Sequence, residues 1–218
     1  MQDYREKFYI LGHCWPEVDG VAYLLQKTYK QHHIITHYSL SESLDYVEKT
    51  PNEWVILTVQ PHAYAYFLYQ MTVRYPHANI LALADKLYFS DMVVLDSLKI
   101  MGFTFNDFIQ RQYAQIFNLP DRKSHGLPYY NKDKFIKYIN EKIRNTLHTR
   151  GVSFSEKEVL TMLVNGYSNE QVGRLMRISN KTVSTHKMNG LMKLPYAKDR
   201  FALSKGLRAT CYMPTDIQ

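Results

Sequence analysis

Residues 152–194 read VSFSEKEVLTMLVNGYSNEQVGRLMRISNKTVSTHKMNGLMKL. The punctuation of this stretch decides the fold of the C-terminal third. Val159, Leu160, Leu163 and Val164 recur at helical spacing, and Gly166 follows where a left-handed C-terminal cap belongs. Ser168 is a natural N-cap for a short helix over Asn169 to Met176, with Val172 and Leu175 expected to face inward. The turn Arg177-Ile178 leads to Ser179, a third N-cap, and to a helix expected from Asn180 to Leu194. Two short helices joined by a tight turn, the second loaded with Lys and Thr, form a helix-turn-helix whose last helix fits a DNA major groove.

Several residues of this stretch carry a family pattern at fixed spacing. They are Glu156, Glu158-Val159-Leu160, Gly166, Ser168-Asn169-Glu170, Leu175, Ile178-Ser179, Lys181-Thr182-Val183, His186 and Lys193-Leu194. In these the segment resembles the LuxR-type DNA-binding domain of the NarL/FixJ regulators. The resemblance implies a transcription regulator that binds double-stranded promoter DNA, and no enzymatic activity. It has two departures, Ser184 where Lys is common and Gly190 where a core Ile is usual. Gly in a helix interior costs roughly 1 kcal/mol against Ala.

On an ideal helix Lys181, Ser184, Thr185 and Met188 share one face, and Val183, Gly190, Leu191 and Leu194 the other. The first set is expected to meet DNA and the second the core. Lys181 suits a guanine edge or a phosphate, Ser184 and Thr185 either, and Met188 or the Thr185 methyl a thymine methyl. Thr182, His186, Lys187, Lys193 and Arg177 complete the candidate DNA-binding set, with Lys187, Lys193, Arg174 and Arg177 suited to phosphates. Lys198 to Cys211 reads as a further helix, with Leu203, Leu207 and Cys211 on an apolar stripe. In the resembled family the corresponding helix pairs two DNA-binding domains, so a homodimer, or a heterodimer with another regulator, is implied. RNA polymerase is a candidate further partner.

Charge follows the same division. The chain of 218 residues carries a formal +7. Residues 1–149 hold 16 Lys/Arg against 15 Asp/Glu, and residues 150–218 hold 11 against 5. A near-neutral body with a basic tail suits one part for control and another for a polyanion.

Ahead of that tail, apolar runs alternate with amphipathic ones. Strands are expected at Phe8 to Leu11, His33 to Tyr38, Trp54 to Val59, Asn79 to Leu83 and Phe103 to Phe105. Helices are expected at Val18 to Tyr29, Leu40 to Glu48, Tyr64 to Arg74 and Asp91 to Met101. Such alternation predicts βαβ crossovers, a five-stranded parallel sheet and helices on both faces. Leu119 to Tyr130 reads as a loop and Asn131 to His148 as a basic helix. The expected organisation is an α/β domain over residues 1–118, a linker with a helix over 119–150, and an all-α helix-turn-helix domain over 151–218.

In pattern, Phe8 to Phe117 resembles the receiver of a response regulator. The phosphorylation chemistry of that family needs an acceptor Asp at the end of the third strand, an acidic pair after the first and a Lys after the fifth. Here those places hold Thr58, Gly12-His13-Cys14 and Asn106-Asp107. The expectation is a degenerate receiver without an aspartyl-phosphate switch. Two alternatives stay open. Glu17, Asp19 and Asp85 could supply carboxylates under a shifted alignment, and Tyr64, Tyr66, Phe67, Tyr69, Tyr113 and Phe117 could line a ligand site or an interface rather than a core.

Cys14 and Cys211 form no CxxC pair, and His32, His33 and His37 lack partner acids, so neither a disulfide framework nor a metal site is expected, and no cofactor. Residues 1–7 lack the features of a signal peptide. The uncharged run Trp54 to Val73 is interrupted by Gln60-Pro61-His62, so it is read as a strand and a helix rather than a membrane span. A cytoplasmic protein is the resulting expectation.

Overall fold

The computed structural model describes residues 7–41, 53–110, 117, 128, 130–194 and 209. Five parallel strands, β1 (Lys7–Gly12), β2 (His33–His37), β3 (Trp54–Thr58), β4 (Asn79–Ala84) and β5 (Met101–Thr104), pair in the order β2-β1-β3-β4-β5. The central strands read as continuous apolar runs because both of their faces are covered. All of β3 and β4 is buried, as is β1 beyond Lys7. Edge strands β2 and β5 are only half-buried.

Period-two alternation sends successive side chains to two separate cores. Phe8, Ile10, Ile56, Leu81 and Leu83 meet Val18, Val21 and Leu25 of α1 (Trp15–Thr28) and Phe108 of α4 (Phe105–Gln110). Tyr9, Leu11, Val55, Leu57 and Ala82 meet Phe67, Leu68 and Met71 of α2 (Ala65–Arg74) and Val94, Leu95 and Leu98 of α3 (Phe89–Leu98). The expected helix over Leu40 to Glu48 lies, beyond Ser41, outside the described residues.

The crossover from β4 to β5 and the segment that follows β5 differ from the sequence reading. Helix α3 starts at Phe89 and stops at Leu98, because Lys99 turns left-handed at φ 57° and releases the chain into β5 at Met101. Phe105, expected in a strand, opens α4 instead. Thr104 forces that change: its Oγ1 accepts the N–H of Asp107 at 3.0 Å and donates to the Asp107 carboxylate at 2.8 Å, which is N-cap chemistry.

Helix α5 (Lys132–Thr149) is capped by Asn131, whose side chain accepts the N–H of Lys134. Its stripe Phe135, Ile139, Ile143 and Leu147 is buried in the same core as α2 and α3. Phe135 stacks on Tyr69 at 4.4 Å, and the Tyr69 hydroxyl donates to the Pro128 carbonyl and accepts the N–H of Tyr130. The expected linker helix thus packs on α2 and α3 of the N-terminal unit. That core runs on into the C-terminal unit through Val152, Leu160, Leu191, Leu194 and Ala209. Asn140 of α5 binds the backbone of Ala209 from both sides, accepting its N–H at 2.9 Å and donating to its carbonyl at 3.2 Å. The remainder of Lys198 to Cys211 lies outside the described residues.

Trp54 to Val73 proves to be β3, a turn and most of α2. Among the described residues no helix is long and apolar enough to cross a membrane.

Candidate nucleic-acid interface

After Gly151, at φ +73°, three helices follow in close succession: α6 (Phe154–Val164), α7 (Asn169–Met176) and α8 (Asn180–Met192). Each opens on a serine. Ser153 accepts from the N–H of Glu156 while the Glu156 carboxylate accepts from that of Ser153, and Ser168 and Gln171 repeat the arrangement. Ser179 accepts the N–H of Thr182 at 3.1 Å. The second and third caps and the left-handed Gly166, at φ +89°, stand where the sequence put them. The first cap, Ser153 with Glu156, adds a capping box that the spacing S-x-x-E also carries.

A small core of Val159, Val172 and Val183 ties the three helices together, with Leu163, Met176 and Ile178 packed against it. The side chain of Val164, expected on the same face, lies outside the described ones. Leu175 corrects the sequence reading, for it is 61% exposed. Helix α7 turns Val172 and Gly173 inward, and the Gly173 backbone lies so near the Ile178 carbonyl that an added Cβ would stand 2.9 Å from it. With that edge against the turn, Met176 is packed inward and Leu175 rolls out.

Along α8, Lys181, Ser184, Thr185 and Met188 are exposed, while Val183, Gly190, Leu191 and, just beyond the helix, Leu194 are buried. The two faces fall as the periodicity predicts. Thr182, His186 and Lys187 are half-buried at the borders. Thr185 Oγ1 donates to the Lys181 carbonyl at 3.0 Å, and Ser184 Oγ accepts from Asn169 at 3.3 Å, which stitches α8 to α7. Gly190 lets α8 press on α6: an added Cβ would lie 2.8 Å from Leu160 Cδ1 and 3.4 Å from Glu156 Cβ.

Two cations of the candidate set have particular surroundings. Arg177 occupies the turn in left-handed conformation, φ 56°, and its side chain is exposed. Lys193 donates to both carboxylate oxygens of buried Glu156, at 2.7 and 2.9 Å. Burial alone would raise the Glu156 carboxyl. The Lys193 ammonium and the N–H and hydroxyl of Ser153 outweigh it and hold the group below the usual carboxylate range. Arg174 pairs with Glu170 at 3.1 Å on the open surface.

At the other end of the chain, Thr58 faces Gly12 across β1 and β3. It is 1% exposed and its Oγ1 has no hydrogen-bond partner. A Cβ on residue 12 would overlap that oxygen, so glycine is required there. His13 stacks on Tyr64 at 5.6 Å. Glu17 titrates higher than an ordinary carboxylate, mainly through burial and partly through Asp85, against the pull of His13 and Cys14. Among the described residues no group of three His, Cys, Asp or Glu side chains gathers to hold a metal. Tyr64, Phe67 and Tyr69 are core residues, Tyr66 packs against them, and Phe117 closes on Phe8 and Trp54. Tyr113 lies outside the described residues.

Residues 152–203 match the family of bacterial regulatory proteins, luxR family (GerE). No curated protein matches the chain by sequence. In fold it is similar to the two-component response regulator RcsB in complex with DNA, at TM-score 0.61 and 14% identity, covering 93% of this chain and 98% of that one. RcsB from Salmonella enterica serovar Typhimurium bound to a promoter in the presence of phosphomimetic BeF3− gives TM-score 0.59, 15% identity and coverage of 94% and 98%. A structure of two RcsB dimers on two parallel DNAs gives 0.58, 15%, 93% and 98%. The chain thus joins a sheet unit, in a whole similar in fold to RcsB, to a helix-turn-helix segment that matches the luxR family at residues 152–203.

Proposed function

We propose that the protein is a transcription regulator that inserts α8 into the major groove of promoter DNA and needs no aspartyl phosphorylation to do so. The observation that carries this is the two-faced α8, whose buried Val183, Gly190 and Leu191 turn Lys181, Ser184, Thr185 and Met188 outward together. In this reading Lys181 and Thr185 read base edges, Ser184 holds α8 against α7 while reaching the groove, and Met188 touches a thymine methyl. Thr182, His186, Lys187 and Arg177 hold the phosphates. Lys193 is assigned to Glu156, and its contribution to DNA binding is to fix the far end of α8.

Independence from phosphorylation is supported by Thr58, buried and hydroxyl-bearing where an acceptor carboxylate is needed. The reading involves no catalysis and no cofactor, and it belongs to the cytoplasm. Two copies, or one copy and a second regulator, would meet two half-sites, as helix-turn-helix dimers do; RNA polymerase is the further partner such a regulator would address.

The test is capture and sequencing of genomic fragments by full-length protein without phosphodonor, at two salt concentrations. A shared two-part site that survives the higher salt is expected, since nonspecific phosphate binding falls steeply with salt. Enrichment that appears only after treatment with a phosphodonor would overturn phosphorylation independence.

A further inference from the structure

One buried carboxylate has no part in the DNA-binding face. Asp91, in the first turn of α3, is wholly buried and is fed by donors from two loops. It accepts the N–H of Tyr88 at 2.7 Å, from the loop after β4. From the loop after β3 it accepts the N–H of His62 and the side-chain amide of Gln60, with His62 Nδ1 placed 2.8 Å away to donate as well. The Gln60 amide also donates to the Lys86 carbonyl at 3.0 Å, a second tie between the same loops. A buried carboxylate is costly unless its lone pairs are used. Moving either loop away would therefore leave a buried acceptor without part of its donors.

These loops leave β3 and β4 at the edge where Thr58 stands. Asp91 and Gln60 bond both of them. From Asp91, α3 runs to Ser97, whose hydroxyl accepts Lys142 Nζ of α5 at 3.3 Å. Leu95 and Leu98 share a core with Ile139 and Ile143, and that core extends to Val152, Leu160 and Leu191 of the helix-turn-helix. The carboxylate and the recognition helix are joined by continuous packing.

We propose that Asp91 is a positioning residue for DNA binding: by locking both loops to the start of α3, it fixes the seat of α5 and so the placement of the helix-turn-helix. This rests on the DNA-binding reading above and deepens it, since a fixed latch stands where a chemical switch would act.

The test compares full-length wild type with Gln60→Ala, Asp91→Asn and Asp91→Ala on the duplex captured by wild type, well below every melting temperature. Leu25→Ala, on α1 in the opposite core, serves as a control that loses stability without touching the path. The latch variants should bind at least tenfold more weakly and exchange amide hydrogens of α5 faster, while the control binds within twofold and leaves α5 protected. Gln60→Ala keeps the test decisive if the Asp91 variants do not fold. Latch variants that bind within twofold of wild type, or a control that loses as much affinity, would overturn the proposal alone. A wild type without any specific duplex would remove the DNA-binding reading and the proposal with it.

Discussion

Thr58 and Gly12 illustrate how much one side chain settles. A buried hydroxyl without a partner costs roughly 1–3 kcal/mol, so replacing it with a methyl of similar size removes a penalty. Thr58→Val should raise stability by about 1 kcal/mol in urea unfolding. Thr58→Asp, which introduces a carboxylate, should instead lower it by several kcal/mol, because the charge would be buried where the Thr58 hydroxyl finds no hydrogen-bond partner. Glu156 makes a prediction with a sign in pH. Its folded-state pKa lies below the ordinary value, so its pairing stabilises fully above the unfolded carboxyl range near ~4.3 and is lost as pH falls through the lower folded value. Glu156→Gln should cost about 1–2 kcal/mol at neutral pH, less than a fully buried pair because Lys193 can turn to water, and the gap should narrow as pH falls below the ordinary carboxylate range. A wild-type-to-variant difference that does not narrow on acidification would count against that pairing.

Single elements show why parts of the chain could be read and others could not. Helices α7 and α8 were legible because their signals are local: Ser168 and Ser179 sit on the helix starts, and Gly166 on the turn. Helix α4 was hidden behind the apolar run Phe103 to Phe105, although Thr104 and Asp107 carry an N-cap signature three residues apart. Thr104→Ala should therefore cost about 1 kcal/mol, measurable as a lower urea midpoint with unchanged slope. Leu175 was misplaced since a 3.6-residue period cannot tell that Gly173 lies against the Ile178 carbonyl. Contacts such as Lys193 with Glu156, or Asp91 with Gln60, join residues 31 to 37 apart and leave no periodic trace. At the recognition helix the faces were predictable, and its chemistry divides accordingly. Lys181→Ala should weaken specific binding by about 1–3 kcal/mol and relax preference at one base position, whereas Lys187→Ala should weaken all duplexes alike and reduce the salt slope by about one. Anisotropy titrations at several salt concentrations distinguish the two; a uniform loss from Lys181→Ala would reassign it to a phosphate.

For the whole molecule, the decisive fact is that one cluster of buried residues, among those described, includes both the sheet unit and the helix-turn-helix. Phe135, Ile139, Ile143 and Leu147 of α5 share one buried cluster with Phe67 and Leu95 on one side and with Leu160, Leu191, Leu194 and Ala209 on the other. Units joined only by a flexible tether unfold independently, each at its own temperature, whereas units joined through a common core exchange stability. The full chain should therefore melt in one cooperative calorimetric transition, with near-UV and far-UV signals coincident. Truncating Phe135 to Ala removes the ring stacked on Tyr69 and opens the cluster at the N-terminal end of α5. A buried Phe→Ala change costs about 3–5 kcal/mol, and most of that should fall on the joint rather than on β1, β3 and β4, whose side chains still pack against α1 and α4. The variant should then resolve into two transitions, the lower one carrying the helix-turn-helix. Two transitions in the wild type would mean that the shared cluster carries little free energy and that the DNA-binding domain is oriented by its tether alone.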